Sequence, residues 1–219
     1  MHIEILTENL SGKELLEILV PKIINCQKHT YKIISYRGIG RIPKNLKTKQ
    51  DVSKRILLEQ LSRLLQGYGN TYHKSNYNAV VIVVVDCDRR NCIDFKTELN
   101  AVLERCRPKP RAYFRIAVEE MEAWLLGDRK AIQHAYPHFN QQEYENYEQD
   151  SIIGTWEKLA DITLSPAVSK SFQKKQTSYA EIGKQKSEWA RKIGKHIDIQ
   201  NNISPSFQCF KKILEKLTI

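Results

Sequence analysis

A chain of 219 residues with 41% hydrophobic and 27% charged residues has enough apolar side chain for a buried core, which excludes a disordered or fibrous protein. Its formal net charge of +10 is uneven: counted along the sequence, residues 1–118 carry +10, residues 119–164 carry −7 and residues 165–219 carry +7. A basic chain with an acidic middle suits a polyanionic partner and a carboxylate site that needs cations, although a solvated basic surface without such a partner has the same composition.

Residues 2–7 read as a short strand, and residues 11–25 as an amphipathic helix with Leu15, Leu16, Leu19, Ile23 and Ile24 on one side. A second strand is expected over residues 31–36. Residues 37–49 then form a loop with Gly38, Gly40, Pro43 and five Arg or Lys residues. Helical spacing returns over residues 51–65. Residues 78–85 are the strongest strand, a nearly continuous Val/Ile run ending in Asp86, as a central parallel strand buried on both faces requires. A helix over residues 94–106, a strand over 112–118 and a helix running from Glu119 to Leu126 follow. This alternation predicts an α/β fold over residues 1–136, a parallel or mixed sheet with helices on both faces.

Residues 137–150, rich in Asn, Gln, Glu and Tyr, read as a connector. Residues 151–160, 179–193 and 206–217 look helical, with Pro166 and Pro205 as breaks, and form a helical appendage over residues 137–219 packed on the core. Trp189, Phe207 and Phe210 occupy apolar positions and are expected in the core, with Lys184, Lys186, Arg191, Lys192 and Lys195 facing solvent. The longest apolar run, residues 79–85, is far below the roughly 20 residues that cross a bilayer. With no basic leader or signal-length apolar segment at the amino terminus, a cytoplasmic protein is expected. The five cysteines are odd in number and include no Cys-x-x-Cys pair, which excludes a disulfide framework and a structural zinc site. Cys87 lies between two aspartates, whose charge would raise its thiol and weaken it as a nucleophile.

Ligands of open α/β sheets collect at the carboxyl ends of the strands. Acids fall at three such ends: Glu8, the pair Asp86 and Asp88, and Glu119, Glu120 and Glu122. Two carboxylates two residues apart on an extended segment can point the same way and share a hard cation such as Mg²⁺ or Mn²⁺. A lone Asp-x-Asp arises often by chance; the valine run before this one places it at a strand end. Glu8 suits the proton transfer that phosphoryl chemistry needs, and equally suits a helix start, where an acid meets the dipole. Glu120 or Glu122 could complete a metal shell, or could merely offset the dipole of its own helix, on which Glu119 and Glu122 would share one face and Glu120 and Trp124 another. Arg37, Arg41, Lys44, Arg89 and Arg90 are the basic residues expected to hold a phosphate backbone.

Three segments together resemble the Toprim-like DUF4276 family. They are Ile5-Leu6-Thr7-Glu8-Asn9 with the Leu-rich helix after it, Val83-Val84-Val85-Asp86-Cys87-Asp88, and the most specific, Ile116-Ala117-Val118-Glu119-Glu120-Met121-Glu122-Ala123-Trp124-Leu125-Leu126-Gly127-Asp128. Thr155-Trp156-Glu157, Lys186-Ser187-Glu188-Trp189-Ala190 and Ser204-Pro205-Ser206-Phe207 are similar to the family's carboxyl-terminal elements. The resemblance implies a Toprim-like sheet with a C-terminal helical appendage and divalent-metal-dependent cleavage of DNA or RNA. It makes Glu8 the proton-handling acid and Asp86 and Asp88 the metal ligands, with Glu8, Glu120 or Glu122 able to add to the shell. It also implies an ABC-type ATPase as partner in a bacterial defence system. Asn9 and Gly12 depart from the pattern, standing where the family has Gly and an acid, so the geometry of the first loop is expected to differ. Two rivals are a sugar-nucleotide transferase, which also uses Asp-x-Asp after a strand but has no use for Glu8, and a regulatory or nucleic-acid-binding module that keeps the fold without turnover.

Overall fold

A computed structural model describes residues 1–43, 51–174 and 177–219, so Lys44 lies outside the described residues. In chain order the elements are β1 (His2–Thr7), α1 (Leu10–Ile23), β2 (Thr30–Ser35), α2 (Leu57–Ser75), β3 (Ala79–Asp86), α3 (Cys92–Glu104) and β4 (Ala112–Ala117). They continue as α4 (Glu122–Leu126), α5 (Arg129–Ala135), α6 (Gln141–Glu145), α7 (Thr155–Thr163), α8 (Pro166–Gln173), α9 (Tyr179–Gly194) and α10 (Pro205–Thr218). The four strands form one all-parallel sheet in the order β2-β1-β3-β4, flanked by helices, the α/β arrangement expected.

All eight residues of β3 are buried, because the strand is central and helices cover both its faces. Val80, Ile82 and Val84 join Ile3 and Ile5 of β1 in a core with α1, α4, α9 and α10. Val81, Val83 and Val85 join Leu6 in a second core with α2 and α3. Burying each such side chain contributes about 1.5–3 kcal/mol.

The carboxyl-terminal helices share the first of these cores: Leu159, Trp189, Ile193, Phe207 and Phe210 are all buried there with the sheet residues. Trp124 joins them, its ring centroid 5.6 Å from that of Phe207 and 5.2 Å from that of Phe210, and its Nε1 donates to Ser206 Oγ at 2.9 Å.

Several boundaries differ from the sequence expectation. The helix expected at residue 51 begins at Leu57, because Arg55 takes a left-handed φ of 52° after a 3₁₀ turn, and it runs on to Ser75, where Asn76 closes it at φ 47°. Pro166 starts α8 at its first turn instead of breaking a helix. The expected connector contains α6. The helix expected from Glu119 begins only at Glu122, since Glu119 has φ 65°.

Candidate active site

The sheet brings Glu8 and Asp86 together. Glu8 follows the last residue of β1 and Asp86 ends β3, and these strands are paired neighbours with Thr7 opposite Val84. Both acids are buried, and their side chains share a hydrogen bond. Burial holds Glu8 above the usual carboxylate range; the bond to Asp86 opposes this and the charge of Asp88 adds to it. Asp86 is held well above its usual range, first by burial and then by the charge of Glu8. Each of the two carboxyl groups makes ionisation of the other less favourable. Asp86 Oδ1 also accepts from the Met121 backbone N at 2.9 Å, which fixes it against the loop after β4.

Asp88 reaches the same edge by another route than strand alternation. It is exposed and adopts φ 50°, so the segment is no longer extended and the two-residue spacing does not align the two aspartates. Its backbone N donates to Glu119 O at 2.9 Å, and Glu119 is itself left-handed at φ 65°. Non-glycine residues in that region cost about 1–3 kcal/mol each and concentrate at functional sites. Partial desolvation and then the charge of Glu120 raise the Asp88 carboxyl.

Glu120 and Glu122 also arrive here, but their partner is a lysine. Lys186 Nζ, on α9, lies 3.4 Å from Glu120 Oε1 and 3.3 Å from Glu122 Oε2, with its side chain 14% exposed. The expectation that Lys186 faces solvent is therefore corrected: it lies three residues before the buried Trp189 on α9, a spacing that turns it to the same inward face, onto carboxylates that lie far away in sequence. Lys184, Arg191, Lys192 and Lys195 are exposed as expected. Burial alone would lower the Lys186 ammonium, but Glu122, Glu120 and Asp86 outweigh it and hold the group above its usual value. Glu122 is pushed up to about 7, by burial against the opposing charge of Lys186. Glu120 Oε2 accepts from Thr155 Oγ1 at 3.3 Å and Trp156 N at 3.2 Å, at the start of α7. Two carboxyl-terminal motifs, Thr155-Trp156-Glu157 and Lys186-Ser187-Glu188, thus converge on one acid. Glu119 does not share a helix face with Glu122; it is buried before the helix, with Oε2 lacking a hydrogen-bond partner among the described residues, and is pushed up to about 7 by burial and then by Asp150 and Glu120.

The basic residues divide. Arg37, Arg41 and Arg89 are exposed at this edge, where Gly38 N donates to Glu8 O at 2.7 Å and ties the loop after β2 to the acids. Arg90 is used internally: its guanidinium lies 4.4 Å from the centre of the Phe95 ring and its Nη2 donates to Gly40 O at 3.2 Å. Cys87 is buried and its thiol pushed up to about 12, first by burial, so it is no nucleophile.

Asn9 and Gly12 fit the first loop. Asn9 has an extended φ of −145°, which needs no glycine, and its Oδ1 caps α1 by accepting from Gly12 N at 2.7 Å. A Cβ at Gly12 would lie 2.8 Å from Thr7 Oγ1 and 2.9 Å from Met121 Sδ, so the bare backbone is what lets α1 approach the residue that anchors Asp86.

Among the described residues no three acidic, histidine or cysteine side chains form a ready-made metal shell. The donors at the edge nevertheless fit a hard divalent cation: Glu8, Asp86, Asp88, Glu120 and Glu122 offer only carboxylate oxygens, and Lys186 brings an opposing charge to Glu120 and Glu122.

Fold and edge together define a parallel α/β protein whose strand ends carry an acid cluster closed over by a carboxyl-terminal lysine. The model of the domain of unknown function DUF4276 matches residues 7–218, and the chain belongs to that family. No curated protein and no solved structure matches the chain.

Proposed function

We propose that the protein is a divalent-metal-dependent phosphodiesterase of Toprim type that cleaves nucleic acid. The observation that carries this reading is the buried Glu8–Asp86 pair with Asp88 beside it at the carboxyl edge of a parallel sheet. Asp86 and Asp88 are the residues to hold Mg²⁺ or Mn²⁺, with Glu8 next to them. Such an ion, when bound, supplies charge neutralisation at the phosphoryl group and acidifies a water molecule. The chain's own groups do the rest. Glu8 exchanges a proton at its carboxyl oxygen, a task suited to an acid raised by burial above the usual carboxylate range. Arg37, Arg41 and Arg89, exposed on the same edge, hold the phosphate backbone by charge. By family resemblance the proposal extends to an ABC-type ATPase that gates cleavage in a bacterial defence system, with the tail as its docking surface.

The test is incubation of chelator-stripped protein with plasmid DNA and with total RNA while Mn²⁺ is titrated in. Cleavage of at least one substrate is expected to appear with the ion, vanish with EDTA and weaken as salt rises. No cleavage of either with Mn²⁺ or Mg²⁺, alone or with the ATPase present, removes the proposal.

A further inference from the structure

We infer that Lys186 stands where a second cation would sit, so that the site takes one divalent ion, held by Asp86 and Asp88 beside Glu8, while Glu120 and Glu122 serve the lysine. The inference rests on the proposed reading of the site as a metal-dependent phosphodiesterase and specifies it further.

Catalysis of phosphodiester cleavage by two ions requires that both the attacking and the leaving oxygens meet a metal, with the ions about 3.5–4 Å apart and carboxylates shared between them. Here the acids are already apportioned. Glu122 Oε2 and Glu120 Oε1 both face Lys186 Nζ, at 3.3 and 3.4 Å, and Glu120 Oε2 accepts from Thr155 Oγ1 and Trp156 N. All four of these contacts are thus made from α7 and α9, not from the strand ends. Met121, between Glu120 and Glu122, donates its backbone N to Asp86 Oδ1 at 2.9 Å, which ties the segment that carries the lysine's partners to the Glu8–Asp86 pair.

The lysine is held firmly in this position. Trp189, three residues on, is fully buried and its Nε1 donates to Thr163 Oγ1 at 2.9 Å, fixing α9 against α7. Lys186 also lines a cleft of about 480 Å³ between α1 and α9, with Asn9, Ser11 and Lys184 on its walls. An ammonium has three donors, and two carboxylate oxygens lie 3.3 and 3.4 Å from this one. The third is left for a phosphate oxygen entering by the cleft. A lysine supplies positive charge there but cannot acidify water as a metal does, so water activation falls to the single ion beside Glu8.

The inference is tested by the number of Mn²⁺ ions bound per folded chain, read by isothermal titration calorimetry and by the electron paramagnetic resonance of bound Mn²⁺, which needs no substrate and no turnover. The wild-type protein is expected to bind one ion, weakened at least tenfold by Asp86→Asn. Lys186→Ala frees two carboxylates and opens space, and is expected to bind two, with the dipolar broadening of a Mn²⁺ pair. Lys186→Ala combined with Glu122→Gln removes the unpaired buried charge and is expected to return to one ion; it is also the variant to compare with Lys186→Gln should the alanine variant fail to fold. Two ions in the wild type, or one in folded Lys186→Ala and in Lys186→Gln, overturn the role of Lys186 and leave the metal site standing. No ion bound by the wild type overturns the metal reading and this inference with it.

Discussion

Replacing Glu122 by Gln should stabilise the metal-free protein at neutral pH, although it removes one member of an ion pair. Glu122 is 5% exposed, and burial pushes its carboxyl from the ordinary 4.5 to about 7 in spite of Lys186 at 3.3 Å. In the folded chain the acid therefore keeps a proton that the unfolded chain gives up. The stability it contributes is full below about pH 4.5, falls as pH rises through the window from 4.5 to about 7, and is lost above it. A displacement of this size corresponds to a cost on the order of 3 kcal/mol at pH 8. A glutamine has no proton to lose and leaves Lys186 paired with Glu120, so the variant should gain up to about that amount at pH 8, less the lost attraction to the ammonium, and should differ little at pH 4.5. Urea denaturation of both proteins in EDTA, at intervals from pH 4.5 to 8, measures the difference directly. Parallel stability curves, or a variant that loses more stability at pH 8 than at pH 4.5, would refute the view that burial outweighs the lysine at this carboxyl.

Three further outcomes follow from single contacts. Trp124→Ala empties a fully buried site beside Phe207 and Phe210 and should cost about 3–5 kcal/mol, with early proteolysis of the carboxyl-terminal helices as the accompanying sign. Gly12→Ala places a methyl within 2.9 Å of Met121 Sδ and 2.8 Å of Thr7 Oγ1; a loss of about 1–3 kcal/mol in thermal or chemical melts, with weaker Mn²⁺ binding as Met121 shifts away from Asp86, is the expected result. Arg37→Ala and Arg89→Ala should each weaken duplex binding alike across sequences and lower the slope of log affinity against log salt by roughly 0.9, measured by fluorescence anisotropy.

The strands were readable because burial on both faces leaves a continuous apolar run. Residues 79–86 could be recognised from their valines alone, and with them the placement of Asp86 at a strand end. Trp189, Phe207 and Phe210 were readable as core for the same reason, since an amphipathic helix shows its buried face in its spacing. What stayed hidden depends on contacts distant in sequence or on unusual backbone. Lys186 reads as one more solvent lysine on a basic helix, and only the arrival of Glu120 and Glu122 from the end of β4 draws it inward. The spacing of Asp86 and Asp88 gave the right neighbourhood for the wrong reason, because Asp88 is turned by a left-handed backbone bonded to Glu119, which no propensity announces. Glu119 looked like the first residue of a helix for want of the same information. Asn9 looked like a disruption of the first loop, whereas an extended backbone and a side-chain cap make it an ordinary helix start.

The account stands most directly on whether the acids at the strand ends carry the chemistry. Asp86→Asn with Asp88→Asn, assayed against wild type on end-labelled DNA and RNA at saturating Mn²⁺, should abolish cleavage together with ion binding, while Glu8→Gln should stop turnover and leave ion binding less affected, because a neutral amide cannot exchange a proton. Cleavage by the double variant at the wild-type rate, undiminished in EDTA, would contradict the account and make these acids structural.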